Sequence, residues 1–460
     1  MKRLKSSKAP GEDRLDNQTI KLLPYKAVLF LVAIFNAALR LGYFPVAWKK
    51  AHIIMLHKSG KPPNQLGSYR PISLLPAFGK ILERCILRRV LDTPEIKRLI
   101  PKFQFGFRLK HGTPEQLHRV TNYILDGFHR KEYVVAAYLD IQEAFDRVWH
   151  AGLLSKIKDK LNPQLFSTIA SFLTERTFQV VQDGVASQTK RIKAGVPQGS
   201  VLGPTLYSLF THDMPTANAS RRNDRQDLLV ATFADDTAIL AKNKCVYVAT
   251  DLLQEYLKRF ENWACRWNIA VNPGKCATVT HTLRKDSCPG LFLHGELLEQ
   301  YRQHKYLGVT LDRRLTFSKH VSAVTSNIKS KIRRMSWLLN SKNKLSLRNK
   351  VLIYKVILAP VWRYGLQVYG IAAKTHLNKI RIIQAKTLRK ITGAEWYIRT
   401  RDIAKDLKVP MVGDIVNRQA ASYSTKLHNH PNILARSLLR RRRRRRLKRT
   451  YPTDLIDRYV

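Results

Sequence analysis

The run ATFADDTAIL, residues 231–240, sets two acids side by side in an otherwise apolar stretch. Apolar strands rarely carry a pair of carboxylates at mid-length, because a buried unpaired charge is costly. Two arrangements satisfy the residues. Asp235 and Asp236 either form the solvent-facing tip of a hairpin, Asp being a good turn residue, or they converge on a metal ion. In both cases ATF and TAIL become two strands joined by a tight turn. The rest of the chain decides between them.

A second strand-like run, EYVVAAYLD (132–140), stops at Asp140, far from the first in sequence. That separation excludes a local loop such as an EF-hand. If the two strands are neighbours in one sheet, their carboxylates converge and repel unless cations neutralise them. Hard oxygen ligands favour Mg²⁺ or Mn²⁺. Two such ions about 3.5–4 Å apart can activate a hydroxyl and stabilise a leaving phosphate. The charge balance then points to the substrate. The chain has 82 Lys+Arg against 33 Asp+Glu, a net +49, and so basic a protein repels itself unless it meets a polyanion. Carboxylates, metal and polyanion together indicate nucleotidyl transfer.

Other classes are poorly served. At 460 residues the chain exceeds one compact core and suggests two or three domains. The N-terminus, MKRLKSSKAPGEDRLDN, lacks the apolar core of a secretory signal. The most apolar stretch, residues 27–44, is interrupted by Asn36 and Arg40 and reads as a buried helix rather than a membrane span. Cys85, Cys245, Cys265, Cys276 and Cys288 are scattered, which argues against a disulfide framework and against structural zinc. A reduced, intracellular protein with no membrane contact is expected.

Periodicity places helices at 18–44 and 79–92 and strands at 51–56 and 132–140, with a helical segment starting around Ala144. FQVVQDGVAS (178–187) alternates around Asp-Gly, a hairpin signal. AGVPQGS (194–200) opens a helix through Tyr207 and Phe210. From about residue 251 a helix leads to the strand CATVTH and a hairpin near HGELL, and beyond 316 only helices follow. Between Lys319 and Arg401 nineteen Lys/Arg meet a single acid, Glu395, which marks a basic helical module. The arginine run, Arg440 to Arg446, cannot form an amphipathic face and is expected to stay solvated, as an import or polyanion-binding tail.

YLDIQEAFDRVWH (138–150), AGVPQGSVLGPTLYSLF (194–210) and FADDTAIL (233–240) resemble the palm motifs of reverse transcriptases, in order and in spacing. SYRPISLLPAFGKILERCI (68–86), FQFGFRLKHGT (103–113), WNIAVNPGKC (267–276) and KYLGVTLDRRLTFSKHV (305–321) narrow the resemblance to non-LTR retrotransposon polymerases of the jockey group. It covers nearly the whole chain. The resemblance implies an α+β right-hand polymerase: fingers over 1–130, palm over 131–315, a basic helical thumb over 316–402 and a basic tail over 403–460. The expected reaction is two-metal transfer of dNMP to a primer 3′-hydroxyl, releasing pyrophosphate.

Asp140, Asp235 and Asp236 match the family's metal-binding triad, the third in a lesser role, with two Mg²⁺ or Mn²⁺ ions. Phe145 matches the ring that blocks a ribose 2′-OH, and a core aromatic on a helix is its bland alternative. Arg70 matches the residue that clamps the incoming triphosphate, a contact suited to a planar fork. Lys58 would contact the same phosphates. Gln198 and Gly199 lie where the family's loop packs under the nascent base pair, and Lys275 matches a lysine suspected as general acid toward pyrophosphate. Glu143, His57, Ser59 and Arg14 depart from the family's usual residues without removing a metal ligand.

The implied partners are an RNA template, a DNA primer and dNTPs, gripped by the basic helices 319–401, with the nucleus as the site of action. An endonuclease usually precedes this region in the full-length element. Nothing in the sequence resembles one, so the chain reads as part of a longer reading frame. A non-catalytic RNA-binding scaffold derived from such an enzyme, or a maturase-type reverse transcriptase, stand as alternatives.

Overall fold

Apolar periodicity sets the elements along the chain. The principal ones are α1 (Tyr25–Leu41), β1 (Lys50–His57), β2 (Tyr69–Leu74), α2 (Ala77–Asp92), α3 (Thr113–His129), β3 (Tyr133–Leu139), β4 (Thr177–Gln182) and α4 (Gly203–Phe210). Then come β5 (Leu228–Phe233), β6 (Asp236–Asn243), α5 (Val246–Arg266), β7 (Ala277–His281), β8 (Gln303–Tyr306), β9 (Val309–Asp312), α6 (Ser318–Arg334), α7 (Lys374–Thr392) and α8 (Val412–His428). The computed structural model describes residues 4–58, 60–216, 227–440 and 445–457. Contacts divide the chain into two units, each built from separated segments. The first comprises 1–107, 141–215 and 259–272, and the second 108–140, 216–258 and 273–460.

In the first unit β2 pairs antiparallel with β1, and β1 pairs parallel with β4. β4 continues into the expected hairpin through Asp183 and Gly184, both at positive φ. The core beneath gathers Phe44, Leu82, Ile86, Phe172, Leu206 and Phe210, all fully buried. α1 differs from the buried helix its composition suggests. Only Leu31, Phe35 and Ala38 are buried, whereas Tyr25, Phe30 and Leu41 are each more than 70% exposed. The helical segment expected from Ala144 is instead a series of turns, and the helix begins at His150. Glu143 takes a positive φ of 45°, incompatible with a right-handed helix, and the carbonyls of Phe145 and Val148 are drawn off to accept the N–H groups of Val196 and Gly195.

In the second unit an antiparallel sheet runs β7–β3–β6–β5, with a short edge strand, Glu299–Gln300, parallel to β7. β3 is buried along its whole length, hence its unbroken apolar run. α3 covers the sheet through Leu117, Val120 and Ile124, and the same core continues through Phe317, Trp362, Leu388 and Val416 of the later helices. The elements beyond 316 are helical, as their pattern indicates. Helices and antiparallel strands together give the α+β class. No helix among the described residues is long and apolar enough to cross a membrane.

Of the arginine run expected to stay solvated, Arg440 and Arg446 are exposed, but Arg445 and Arg446 are tied to the second unit. Arg441 to Arg444 lie outside the described residues. Arg445 pairs with Asp454, and Arg446 donates to the carbonyls of Phe128 (2.7 Å) and His129 (3.1 Å). Tyr451 stacks on His129, donates to Asp126 (2.9 Å) and is buried together with Leu455. Truncation after Leu439 removes this packing. At about 1.5–3 kcal/mol for each buried side chain, the loss should reach about 3–6 kcal/mol. Urea unfolding of the full and truncated chains measures it, and an unchanged midpoint would show that the segment contributes nothing.

Candidate active site

Strand pairing brings the acids together. β3 and β6 are antiparallel, with Leu139 opposite Thr237. One further step along that register puts Asp140 opposite Asp236. β5 and β6 form the tight hairpin expected, Phe233 facing Asp236 with Ala234 and Asp235 as the turn. Ala234 sits at φ +60°, a conformation that costs an L-residue roughly 1–2 kcal/mol. Asp235 and Asp236 are exposed and Asp140 partly so.

The segment leading into β7 supplies the neighbours on the other side of β3. The Asp140 N–H donates to Cys276 Sγ (3.4 Å), and Lys275 Nζ lies 3.7 Å from Asp140 Oδ2. Burial pushes the Cys276 thiol up to about 11, and the Asp140 charge pushes the same way, so it stays a neutral thiol. Nothing in the sequence singled out Cys276. Its position beside Lys275, just before the strand that pairs with β3, was the available signal. Burial also drives the Tyr306 hydroxyl well above its ordinary range, with the Asp236 charge adding to it. Among the described residues no three His, Cys, Asp or Glu side chains form a ready metal cage. Acids at one end of the sheet still suit a hard cation such as Mg²⁺, which binds through one or two carboxylates and keeps positions for water and substrate phosphates.

The first unit holds a second group of expected site residues. Phe145 is half-buried, stacked on Tyr207 (5.1 Å between centroids) and edge-on to Phe107 (5.5 Å). It stands on a turn rather than a helix. Gln198 Nε2 donates to Asp146 Oδ2 (2.7 Å), while the Gln198 carbonyl accepts the Ser73 N–H of β2 (2.8 Å). Two glycines make this approach possible. A Cβ at Gly195 (φ +92°) would stand 2.5 Å from the Asp146 carbonyl oxygen, and one at Gly199 (φ +122°) 2.6 Å from that of Ser73. Arg70 is exposed on β2 opposite Leu56, and its side chain makes no hydrogen bond or ion pair among the described residues. Lys58 is engaged by its own loop, its Nζ donating to the Gly67 carbonyl (2.9 Å).

Two further residues went unmarked in the sequence. Glu83 on α2 is fully buried and accepts the N–H groups of Val201 (2.6 Å) and Leu202 (2.9 Å), closing the turn that opens α4. Burial pushes its carboxyl up, against the pull of those two donors and of Arg176. Asp146, next to Phe145, lines a cavity of about 430 Å³ between β1, β2, β4 and residues 191–198. Burial raises its carboxyl to about 6, the Gln198 bond opposing and the Glu143 charge adding.

The model of the family described as reverse transcriptase (RNA-dependent DNA polymerase) matches residues 56–311. The chain is 58% identical to the RNA-directed DNA polymerase from mobile element jockey of Drosophila melanogaster, over 98% of this chain and 50% of that protein. It is 57% identical to the counterpart in Drosophila funebris, over 99% and 51%. A probable RNA-directed DNA polymerase from transposon X-element of Drosophila melanogaster is 46% identical, over 99% and 50%. The chain thus spans about half the length of these relatives.

The Asp146 carboxyl, raised above its ordinary value of 3.8, binds its proton more tightly in the closed loop than in an opened one. Protonation therefore favours closure. That contribution is full below about pH 4 and is lost as pH rises through about 6. Asp146→Asn, neutral at every pH and still able to accept from Gln198, should remove the slope. Asp146→Leu should speed exchange of the 194–200 amides about fivefold to tenfold at every pH, for one lost hydrogen bond of about 1 kcal/mol. Amide exchange between pH 4 and 7, corrected for intrinsic rates, reads both effects.

Proposed function

The chain belongs to the reverse transcriptase (RNA-dependent DNA polymerase) family, and from that premise we propose that it copies an RNA template into DNA. The reaction is addition of dNMP to a primer 3′-hydroxyl with release of pyrophosphate, in a jockey-type non-LTR retrotransposon acting at a chromosomal target in the nucleus. The observation that most supports this reading is the β3–β6 register, which sets Asp140 against the hairpin tip of Asp235 and Asp236.

In this reading Asp140 and Asp235 hold two divalent ions, Mg²⁺ or Mn²⁺, and Asp236 has a lesser part. The chemistry such ions supply is activation of the 3′-hydroxyl and neutralisation of charge on the leaving pyrophosphate. The protein's own contribution is positioning and electrostatics. Lys275 partly offsets the Asp140 charge and is placed to give a proton to a departing phosphate. Arg70, with no partner of its own among the described residues, offers its fork to the triphosphate, with Lys58 as a weaker contact. Phe145, fixed by Tyr207, closes the space a 2′-hydroxyl would need. Gln198 and Gly199 back the nascent base pair. The β7–β3–β6–β5 sheet would be the palm within 131–315, residues 1–130 the fingers, and the basic helices 316–402 a thumb that grips the template–primer backbone without reading bases. The inactive-scaffold alternative has no damaged acid in its favour, since all three aspartates are present.

Primer extension on an RNA template with Mg²⁺ tests the reading. Asp140→Ala and Asp235→Ala should each abolish extension, while Asp236→Ala keeps measurable activity. Near wild-type rates for both of the first two would falsify the assignment. Phe145→Ala, confirmed as folded by circular dichroism, should let ATP compete with dATP in single-nucleotide incorporation. Unchanged discrimination would make Phe145 a packing residue only.

A further inference from the structure

The sheet of the second unit has two ends, and the aspartates occupy one of them. β3 runs from Tyr133 to Leu139, so its ends lie ~20 Å apart at about 3.3 Å per residue. At the far end β7 finishes with His281 opposite Val134, and the chain turns through Arg284 and Lys285. The base of the β8–β9 hairpin, where Gln303 faces Asp312, reaches the same place. Between these segments and the start of α6 lies a cavity of about 460 Å³. Its walls carry Arg284, Lys285, Arg302, Arg313, Arg314 and Lys319 against one carboxylate, Asp312.

That carboxylate is occupied. Asp312 accepts the N–H groups of Arg314 (3.1 Å), Thr316 (3.0 Å) and Phe317 (2.7 Å) and the Thr316 hydroxyl (3.2 Å), which shapes the turn into α6. A second acid nearby, Asp286, accepts the Tyr133 hydroxyl (2.6 Å). Two of the cations are held in place by neutral groups. The Arg284 guanidinium lies 4.9 Å over the Tyr133 ring and donates to the Lys131 carbonyl (3.1 Å), and Arg313 donates to the carbonyls of Arg284 (2.8 Å) and Asp286. Lys285, Arg302, Arg314 and Lys319 have side chains with no hydrogen bond or ion pair among the described residues. Like charges gathered in one concavity repel, and a chain of anions relieves that repulsion. No aromatic side chain lines the cavity, so bases find no stacking platform there.

We propose that this concavity is a second nucleic-acid site, which takes a phosphodiester backbone without sequence preference at the end of the sheet remote from the aspartates. It goes beyond the polymerase reading and does not depend on it. A chain that fails to extend a primer could still bind here. The shared ligand chemistry is the phosphodiester, and its source is either RNA or DNA.

The test compares Lys285→Gln/Arg302→Gln/Arg314→Gln with an equal-charge control on exposed helices of the first unit, Lys26→Gln/Arg84→Gln/Arg98→Gln. Binding of labelled 15-nucleotide RNA and DNA is followed by anisotropy from 50 to 300 mM salt, with primer extension measured in parallel. Three lost phosphate contacts should flatten the slope of log affinity against log salt by about 2 for a single strand. The control should change it by less than half as much, and kcat at saturating primer–template should stay unchanged. Whichever oligonucleotide loses more affinity identifies the source. Equal losses in the two variants overturn the proposal, because net charge alone would then account for binding. Lysine acetylation of the unmutated chain gives an independent check. Bound oligonucleotide should protect Lys285 and Lys319 at least fivefold relative to Lys26, and equal acetylation with and without it overturns the site.

Discussion

Leu139 pairs with Thr237 across β3 and β6, and a slip of that register by one residue would carry every side chain of one strand to the opposite face. The register is well specified because both strands are buried almost throughout. Its consequence is felt where the burial ends. Asp140 is the first residue past β3 and Asp236 the first of β6, so the same pairing that packs the core delivers two carboxylates side by side at its rim. Ala234 accepts an unfavourable φ to keep the connecting turn at two residues. A longer, relaxed loop would move Asp235 away from the sheet end.

The first unit solves a different problem, the close approach of two loops. Residues 141–148 leave the sheet as turns whose carbonyls serve the Gly195–Val196 segment, and Gln198 bridges from Asp146 to Ser73. Gly195 and Gly199 are small where a side chain would collide with backbone. Glu83 fixes the far end of the same loop by accepting two N–H groups that α4 cannot satisfy within itself. Backbone pairing on one side and a buried carboxylate on the other leave the loop little freedom.

Much of this was legible in the sequence, for definite reasons. The hairpins at Asp183–Gly184 and His294–Gly295 carry residues that tolerate positive φ, and the apolar run at 133–139 is too continuous for anything but a buried strand. The aspartates were legible because acids in apolar runs demand an explanation. Other features left no local trace. The turn at Phe145 looks helical by composition, and only long-range hydrogen bonds to residues 195 and 196 unwind it. Glu83 sits in an ordinary amphipathic pattern, and its burial depends on a loop more than a hundred residues away. The contacts of Arg445 and Arg446 left no trace in the run itself, because their partners are an acid beyond it and two carbonyls at the end of α3.

Those carbonyls point to how a chain of charge +49 folds at all. Carboxylates are too few to pair with the cations, so the second unit turns to backbone oxygens. Lys350 donates to the carbonyls of Ser341 and Asn343, Arg389 to that of Ile398, Arg449 to that of Arg314, and Arg284, Arg313 and Arg446 follow the same pattern. A carbonyl satisfies the donor and fixes the side chain, but it carries no charge to cancel. Hydrogen bonding therefore removes the cost of unpaired donors without removing the repulsion between like charges. The positive potential left over is a property of the folded state itself. It falls off within roughly 10 Å at ordinary ionic strength, so it acts only on groups lying close against the surface.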